Sequence, residues 1–331
     1  MRAAIYTGAG GTGVIAVRDD VPEPTLGSDD AIVDVAFAGL NRADILERRG
    51  LYPTAARELA IPGLEFAGTV RAIGPRVTSV AVGDAVCGLV VAGAHATRLA
   101  THAMTLSKIP RGLGLREAAA LPEAFITAHD ALFARGGLRL GEVALVHAVG
   151  SGVGLAAIAL AKRAGAITIG TSRTATKLER ARELGLDYGV LLDDDWLAGV
   201  VAASDGRGAD VILDFAGASM LEGNCAALAA SGRIVQIGTM AGARATLDLH
   251  VLMGKRGALH GTVLRSRPLD EKIALAKAFG RDVLPLFARG ELQAAIDAVF
   301  PLERLADAHA YMEGDRNFGK ILIDLGTASD A

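Results

Sequence analysis

Residues 143–171 constrain this chain more than any other stretch. Val143 to His147 is a short apolar run suited to a strand buried on both faces. Gly150, Gly152 and Gly154 follow at once, and Leu155, Ile158, Ala159 and Lys162 keep helical spacing as far as Gly165, a C-cap residue. Ala166 to Thr171 reads as a second apolar strand. A strand, glycine turn, helix and strand within about 30 residues match the size of a dinucleotide-binding βαβ unit. A pyrophosphate takes backbone N–H groups and the positive end of a helix, and side chains at the turn would block its approach. The spacing is Ala148-x-x-Ser151-x-x-Gly154, with Gly150 and Gly152 interleaved, and departs from the strict Gly-x-Gly-x-x-Gly. A glycine cluster alone also makes a plain strand-to-helix turn. The two flanking strands and the helix favour the phosphate reading, with Ser151, Gly152 and Val153 against the cofactor.

An adenosine ribose is usually gripped by an acid about 20 residues past the glycines, at the end of the second strand. That place reads Thr171-Ser172-Arg173, with Lys177 one helical turn on. A hydroxyl, a guanidinium and an ammonium suit a 2′-phosphate, so NADPH is expected rather than NADH. The competing readings are a solvated basic helix start, and a role at the ribose for Asp193 or Asp194 after the third strand.

The chain has 331 residues, enough for two domains at roughly 150 residues each. Residues 1–122 are β-rich, with runs at Arg2–Tyr6, Ala31–Ala38, Gly68–Ile73 and Ala85–Val91 and one helix at Asn41–Arg49. Leu115–Leu121 is a helical run ended by Pro122, and Ala124–Phe133 is another helix. After the glycine unit come helices at Thr174–Leu184, Asp193–Ala203 and Leu221–Ala230 and strands at Tyr188–Leu192, Ala209–Phe215, Arg233–Ile237 and Ala258–Leu264. That alternation predicts a doubly wound parallel sheet. From Pro268 the tail returns to the first domain, ending in a strand at Lys320–Leu325 and a frayed end from Gly326.

Composition removes several classes. Hydrophobic residues make up 51%, yet no apolar stretch reaches the ~18 uncharged residues of a membrane span. The strand-like Met1–Tyr6 lacks a signal-peptide pattern, so a cytoplasmic location is expected. A net charge of −3 and a pI of 6.2 give no basic footprint for nucleic acid. Cys87 and Cys225 are too few for a structural zinc site and read as free buried thiols. His147 reads as a packed or hydrogen-bonded core histidine rather than a base.

Gly63-Leu64-Glu65-Phe66-Ala67-Gly68, Val82-Gly83-Asp84, the Ala148–Gly154 turn and Asn317-Phe318-Gly319-Lys320 together resemble the medium-chain dehydrogenase/reductase superfamily. Within it the chain resembles the zinc-independent quinone oxidoreductases, the zeta-crystallin group, and in particular their p53-inducible branch. Asn41-Arg42-Ala43-Asp44, Arg49-Gly50-Leu51-Tyr52-Pro53, Leu121-Pro122-Glu123-Ala124 and Leu264-Arg265-Ser266-Arg267 carry that likeness. The resemblance implies an α/β chain with a GroES-like β-rich catalytic domain, 1–122 completed by 266–331, a Rossmann domain at 123–265, and a homodimer.

Zinc enzymes of the superfamily place a cysteine before the first helix and a His-Glu pair at the Gly-x-Glu stretch. Here Leu40 and Asn41 occupy the first place and Leu64 precedes Glu65, so three protein ligands cannot be assembled and no metal is expected. Without a Lewis acid to carry alkoxide charge, the expected acceptors are quinones or enones, whose reduced anions are delocalised. The resemblance places Asn41 and Tyr52 at the nicotinamide pocket, with Tyr52 either a hydrogen-bond or proton donor or an amphipathic wall. It sets Thr127 facing the nicotinamide. Gly217, Gly238-Thr239-Met240 and Thr262-Val263-Leu264 follow strands and are expected to flank the cofactor. Lys320 is read as approaching the cofactor or as a surface lysine. A family tyrosine that meets the adenosine phosphate is Leu192 here, leaving more to Ser172, Arg173 and Lys177. The expected activity is zinc-independent transfer of reducing equivalents from NADPH to a quinone. The alternatives are an enoyl or 2-alkenal reductase and a crystallin-like structural or RNA-binding protein, the last opposed by the acidic pI.

Overall fold

The computed structural model describes residues 1–52 and 59–326; Pro53 and the end at 327–331 lie outside the described residues. The chain forms two compact units, one of Met1–Ile126 with Arg265–Ala331 and one of Thr127–Leu264. The first unit opens with strands β1 (Ala3–Tyr6), β2 (Ile15–Arg18), β3 (Asp30–Leu40), β4 (Glu65–Ile73), β5 (Ala85–Leu89), β6 (Arg98–His102) and β7 (Leu106–Lys108). The second carries β8 (Val143–Val146), β9 (Ile167–Ser172), β10 (Tyr188–Leu191), β11 (Ala209–Asp214), β12 (Leu228–Gln236) and β13 (Ala258–Gly261). The first resumes with β14 (Ile296–Pro301) and β15 (Lys320–Asp324).

In the first unit the sheet runs β14-β15-β3-β4-β5-β7, with β6 on the start of β3. The eleven-residue β3 is its spine: β4 pairs along one side, β6 pairs Asp30–Asp34 and β15 pairs Phe37–Leu40. Its inward side chains, Val33, Val35 and Leu40, join Phe66, Val86, Leu305, Ile321 and Ile323 in one core. β4 starts at Glu65, three residues before the predicted Gly68, because Glu65 pairs with Gly39 across the β3–β4 ladder. A Cβ at Gly39 would collide with the Glu65 side chain, so glycine there makes room for a buried carboxylate.

In the second unit six parallel strands run β10-β9-β8-β11-β12-β13. Val143, Leu145, Ile169, Ile212 and Ile234 fill the core, as expected when helices cover both faces of a parallel sheet. The chain winds outward from β8 in both directions, so the strand order reverses between β8 and β11, where open α/β sheets bind ligands.

Several predicted limits differ; the helix predicted from Asp193 starts at Trp196, and the strand predicted to Leu264 ends at Gly261. The helical run predicted before Pro122 is present as Leu115–Ala119, and Pro122 itself opens the next helix, Pro122–His129, where its missing N–H costs nothing. That helix continues as a π-helical stretch at Asp130–Arg135. The predicted helix at Leu221–Ala230 stops at Ala227, because Leu228 enters β12 beside Ala209. A helix at Leu249–Lys255 was not predicted; Asp248 caps it by accepting from the N–H groups of His250 and Val251.

Candidate functional site

All parallel strands of the second unit end on one edge, and the loops leaving that edge carry most of the predicted cofactor residues. Ala148 takes a left-handed conformation (φ 47°) at the end of β8. The Ser151 N–H donates to Ala148 O at 2.9 Å, and Val149 N–H donates to Thr171 O at 3.0 Å, tying the turn to β9. Ser151 then caps the helix Gly152–Arg163, its Oγ accepting from Gly154 N–H at 3.0 Å. A Cβ on Gly154 would lie 2.7 Å from the carbonyl oxygens of Ala148 and Val149, so only glycine lets helix and turn approach this closely. Ser151, Gly152 and Val153 stay partly exposed above the helix start.

Ser172 ends β9, buried, and its Oγ accepts from Thr174 N–H at 3.1 Å. Arg173 is exposed and Lys177 partly exposed on the first turn of the helix Ala175–Glu183. Leu192 N–H donates to Ser172 O, and Asp193 Oδ1 accepts from Asp195 N–H at 3.1 Å in the turn before the helix Trp196–Ala203. Gly217 follows β11 with its N–H on Asp214 Oδ1 at 3.0 Å. Gly238 is partly exposed and Thr239 and Met240 are exposed after β12. Gln236 Nε2 donates to Asp214 O at 3.1 Å and to Gly238 O at 2.5 Å. Thr262 Oγ1 donates to Asp130 Oδ2 at 2.7 Å, Val263 is exposed and Leu264 buried. Thr127 is buried, and its Oγ1 has no hydrogen-bond partner among the described residues.

A buried polar chain supports this edge. Asn224 Nδ2 donates to Asp214 Oδ2 at 3.0 Å, which leaves Asn224 Oδ1 as an acceptor. His147 Nε2–H therefore donates to Asn224 Oδ1 at 2.7 Å, and Nδ1 accepts from Thr171 Oγ1 at 2.8 Å. Burial pulls the His147 pKa down, and the neutral ring is fixed in one tautomer, as the core reading of His147 expects. Asp214, Asn224 and Gln236 did not stand out in the sequence, because their partners are fixed only by how neighbouring strand ends meet.

The first unit holds a second polar cluster. Asn41 follows β3, and its N–H donates to Asp44 Oδ2 at 2.8 Å at the start of the helix Arg42–Arg48. Asn41 Nδ2 donates to Glu65 Oε1 at 3.0 Å, and Asn41 Oδ1 accepts from Lys320 Nζ at 2.6 Å. Lys320 also donates to Leu40 O at 3.1 Å and pairs with Glu65 Oε1 at 2.5 Å. Glu65 Oε2 accepts from Glu123 N–H at 2.8 Å. Lys320 is thus no surface lysine: its side chain is 7% exposed and its ammonium meets three acceptors inside this unit. Burial, then the Glu65 charge, pushes the Glu123 carboxyl up to about 8. Burial lifts Asp44 to about 7 against the backbone N–H groups it accepts. Burial pushes the Cys87 thiol up to about 12 and pulls His95 down to about 4. Both cysteines are free and buried. Tyr52 is partly exposed with the Arg265 guanidinium 5.1 Å from its ring centre; burial raises its hydroxyl pKa and Arg265 opposes the shift.

The donor set does not fit a catalytic zinc. Leu40 and Leu64 are buried apolar side chains, and both Glu65 oxygens are engaged by Lys320, Asn41 and the Glu123 N–H. Among the described residues no three His, Cys, Asp or Glu side chains form a metal-holding group. The second unit does fit a dinucleotide: a helix start whose first residues are partly exposed, basic residues one strand over and a buried Thr127 hydroxyl without a hydrogen-bond partner among the described residues. No described helix is long and apolar enough to cross a membrane.

A family model described as "Alcohol dehydrogenase GroES-like domain" matches residues 27–133, and one described as "Zinc-binding dehydrogenase" matches 152–279. The fold and both matches define a nicotinamide-dependent oxidoreductase with a GroES-like domain and a Rossmann-type sheet. The synaptic vesicle membrane protein VAT-1 homolog of Danio rerio is 30% identical, over 97% of this chain and 69% of that protein. A solved quinone oxidoreductase of Pseudomonas syringae pv. Tomato DC3000 is 27% identical with a TM-score of 0.89, covering 98% of this chain and 99% of that one. A solved NAD-dependent alcohol dehydrogenase is 30% identical with a TM-score of 0.88, covering 98% of this chain and 100% of that one. The chain belongs to the medium-chain dehydrogenase/reductase family, in its quinone oxidoreductase group.

Proposed function

We propose that the protein is a zinc-independent NADPH:quinone oxidoreductase and works as a homodimer. The observation that carries the reading is the Lys320–Glu65–Asn41 cluster. Where a metalloenzyme of this family would need open ligands, this chain has two buried leucines and a carboxylate already held by an ammonium. With no Lewis acid to carry charge, the favoured substrate is one whose own conjugation delocalises it. The similarity to a quinone oxidoreductase supports that choice.

NADPH supplies the reducing equivalents when bound. Ser151, Gly152 and Val153 would receive its pyrophosphate at the helix start, and Ser172, Arg173 and Lys177 its 2′-phosphate. Thr127, Gly217, Gly238, Thr239, Met240, Thr262, Val263 and Leu264 would border the rest of the cofactor. Asn41 holds the Lys320–Glu65 pair in place, and Tyr52 offers its hydroxyl to the substrate carbonyl. The domain limits read from the sequence, 1–122 with 266–331 and 123–265, belong to the same proposal. The edge strand β13, with Leu259 41% exposed, is the surface proposed to pair across a two-fold axis.

The test is steady-state kinetics with 1,2- and 1,4-quinones beside enones and 2-alkenals, each with NADPH and NADH. The reading expects the highest kcat/KM for a quinone with NADPH. A clear preference for enones would make the protein an enoyl or alkenal reductase. A preference for NADH would return the ribose to Asp193 or Asp194.

A further inference from the structure

Arg265 is a buried cation of the first unit. Its side chain is 9% exposed. Nη2 donates to Glu47 Oε2 at 2.6 Å and Nε donates to Val91 O at 2.7 Å, which fixes the plane of the guanidinium. Its Cζ lies 5.1 Å from the centre of the Tyr52 ring. The remaining nitrogen, Nη1, is buried and has no hydrogen-bond partner among the described residues. A buried, charged donor left without an acceptor carries a desolvation cost that folded proteins rarely tolerate without a reason. Arg48 also has unpartnered nitrogens, but its side chain is 1% exposed and packed beneath Glu313. Arg265 instead borders Tyr52, which is partly exposed, so a small molecule can reach its neighbourhood.

The chemistry at that nitrogen is specific. Glu47 balances the guanidinium charge, so a neutral carbonyl can approach without meeting an isolated cation. A guanidinium stays charged at any working pH, and its planar fork holds the third nitrogen in a set direction. We propose that Arg265 is a catalytic residue: with its guanidinium held over Tyr52, its Nη1 donates to the substrate's carbonyl oxygen as negative charge develops there. The proposal rests on the quinone-reductase reading. In that reaction the quinone would gain a hydride, which NADPH would supply in becoming NADP⁺; a π pair moves onto the carbonyl oxygen, and one proton taken from solvent completes the quinol. A donor that strengthens as the oxygen becomes anionic lowers the barrier more than it tightens substrate binding.

The experiment uses the full chain with NADPH and a series of ring-substituted 1,4-benzoquinones of graded electrophilicity. It compares wild type, Arg265→Met and Arg265→Lys, with NADPH affinity measured by fluorescence. Removing one such donor lowers kcat by roughly a hundredfold or more. Arg265→Met is expected to show that loss in kcat rather than KM, with NADPH affinity within about twofold of wild type. The loss should grow as the quinone becomes less electrophilic, because a poorer acceptor depends more on the donor. Arg265→Lys keeps a cation for Glu47 but lacks the second donor, so it should recover the fold and only part of kcat. It carries the test if the Met variant does not fold. An equal loss on every quinone, or a change confined to KM, would overturn the assignment and leave Arg265 a structural partner of Glu47. Wild type that reduces no quinone or enone at all would overturn the functional reading, and this assignment with it. Active wild type with unchanged variants would overturn this assignment alone.

Discussion

Lys320→Met removes the ammonium from the centre of the first unit's polar cluster. The lysine side chain is 7% exposed and Glu65 is fully buried, so the substitution leaves a carboxylate without its counter-charge, held only by Asn41 Nδ2 and the Glu123 N–H. Breaking a buried pair from one side costs about 3–5 kcal/mol. In a unit of this size each kcal/mol moves Tm by roughly 2–4 °C, so the transition should fall by roughly 6–20 °C. Methionine fills most of the lysine volume, which keeps the cavity contribution small. The double variant Lys320→Met/Glu65→Gln removes both charges while leaving an amide that Asn41 and Glu123 N–H can still meet. It should recover at least half of the loss, since residues in one network couple strongly. Thermal unfolding of the cofactor-free protein, followed by circular dichroism, reads both effects. A single variant within about 2 °C of wild type, or a double variant as damaged as the two singles added together, would refute the claim that this pair holds the cluster.

Three further outcomes are expected. Lys177→Ala should lower kcat/KM for NADPH by about tenfold or more and leave NADH nearly unchanged, because charge-assisted bonds to a phosphate contribute roughly 1.5–3 kcal/mol; equal losses with both cofactors would make Lys177 structural. Glu123→Gln should reduce the fall in stability between pH 6.5 and 8, leaving below about pH 7 the share of the Asp44 carboxyl, which burial also raises. The folded carboxyl keeps its proton up to about pH 8 while the unfolded one releases it near 4, so stability declines as pH rises through that range, by at most about 1.4 kcal/mol per pH unit from this group. The buried histidines do not interfere in this window. Burial pulls His95 to about 4 and His309 to about 3, so their contribution is full above 6.5 and fades only below it. An unchanged slope in the variant would count against the buried acid. Light scattering at micromolar concentration should give a dimer; a monomer would remove the role given to β13.

The parallel sheet was legible because its central strands, β8 and β11, are short buried runs with a glycine soon after each. Val143–Val146 and Ile167–Ser172 lie within a residue or two of their predicted limits. Boundaries failed where tertiary pairing overrides local preference: Leu228–Ala230 read as helix but belong to β12, drawn in beside β11. The zinc ligands missing at Leu40, Asn41 and Leu64 could be read directly, since they are absences at known spacings. What takes their place could not. Lys320 reaches Asn41 across 279 positions of sequence, and Arg265 reaches Glu47 across 218, through a sheet register that no local pattern encodes. The shortest strands of the first unit, such as Leu106–Lys108, are too brief for any period to show.

The most direct test of the account is NADPH-driven turnover of a 1,4-quinone by protein dialysed exhaustively against a chelator. Turnover should be undiminished, with no gain on adding back zinc, because Lys320, Asn41 and the Glu123 N–H already engage Glu65. Turnover abolished by the chelator and restored by stoichiometric zinc would contradict it.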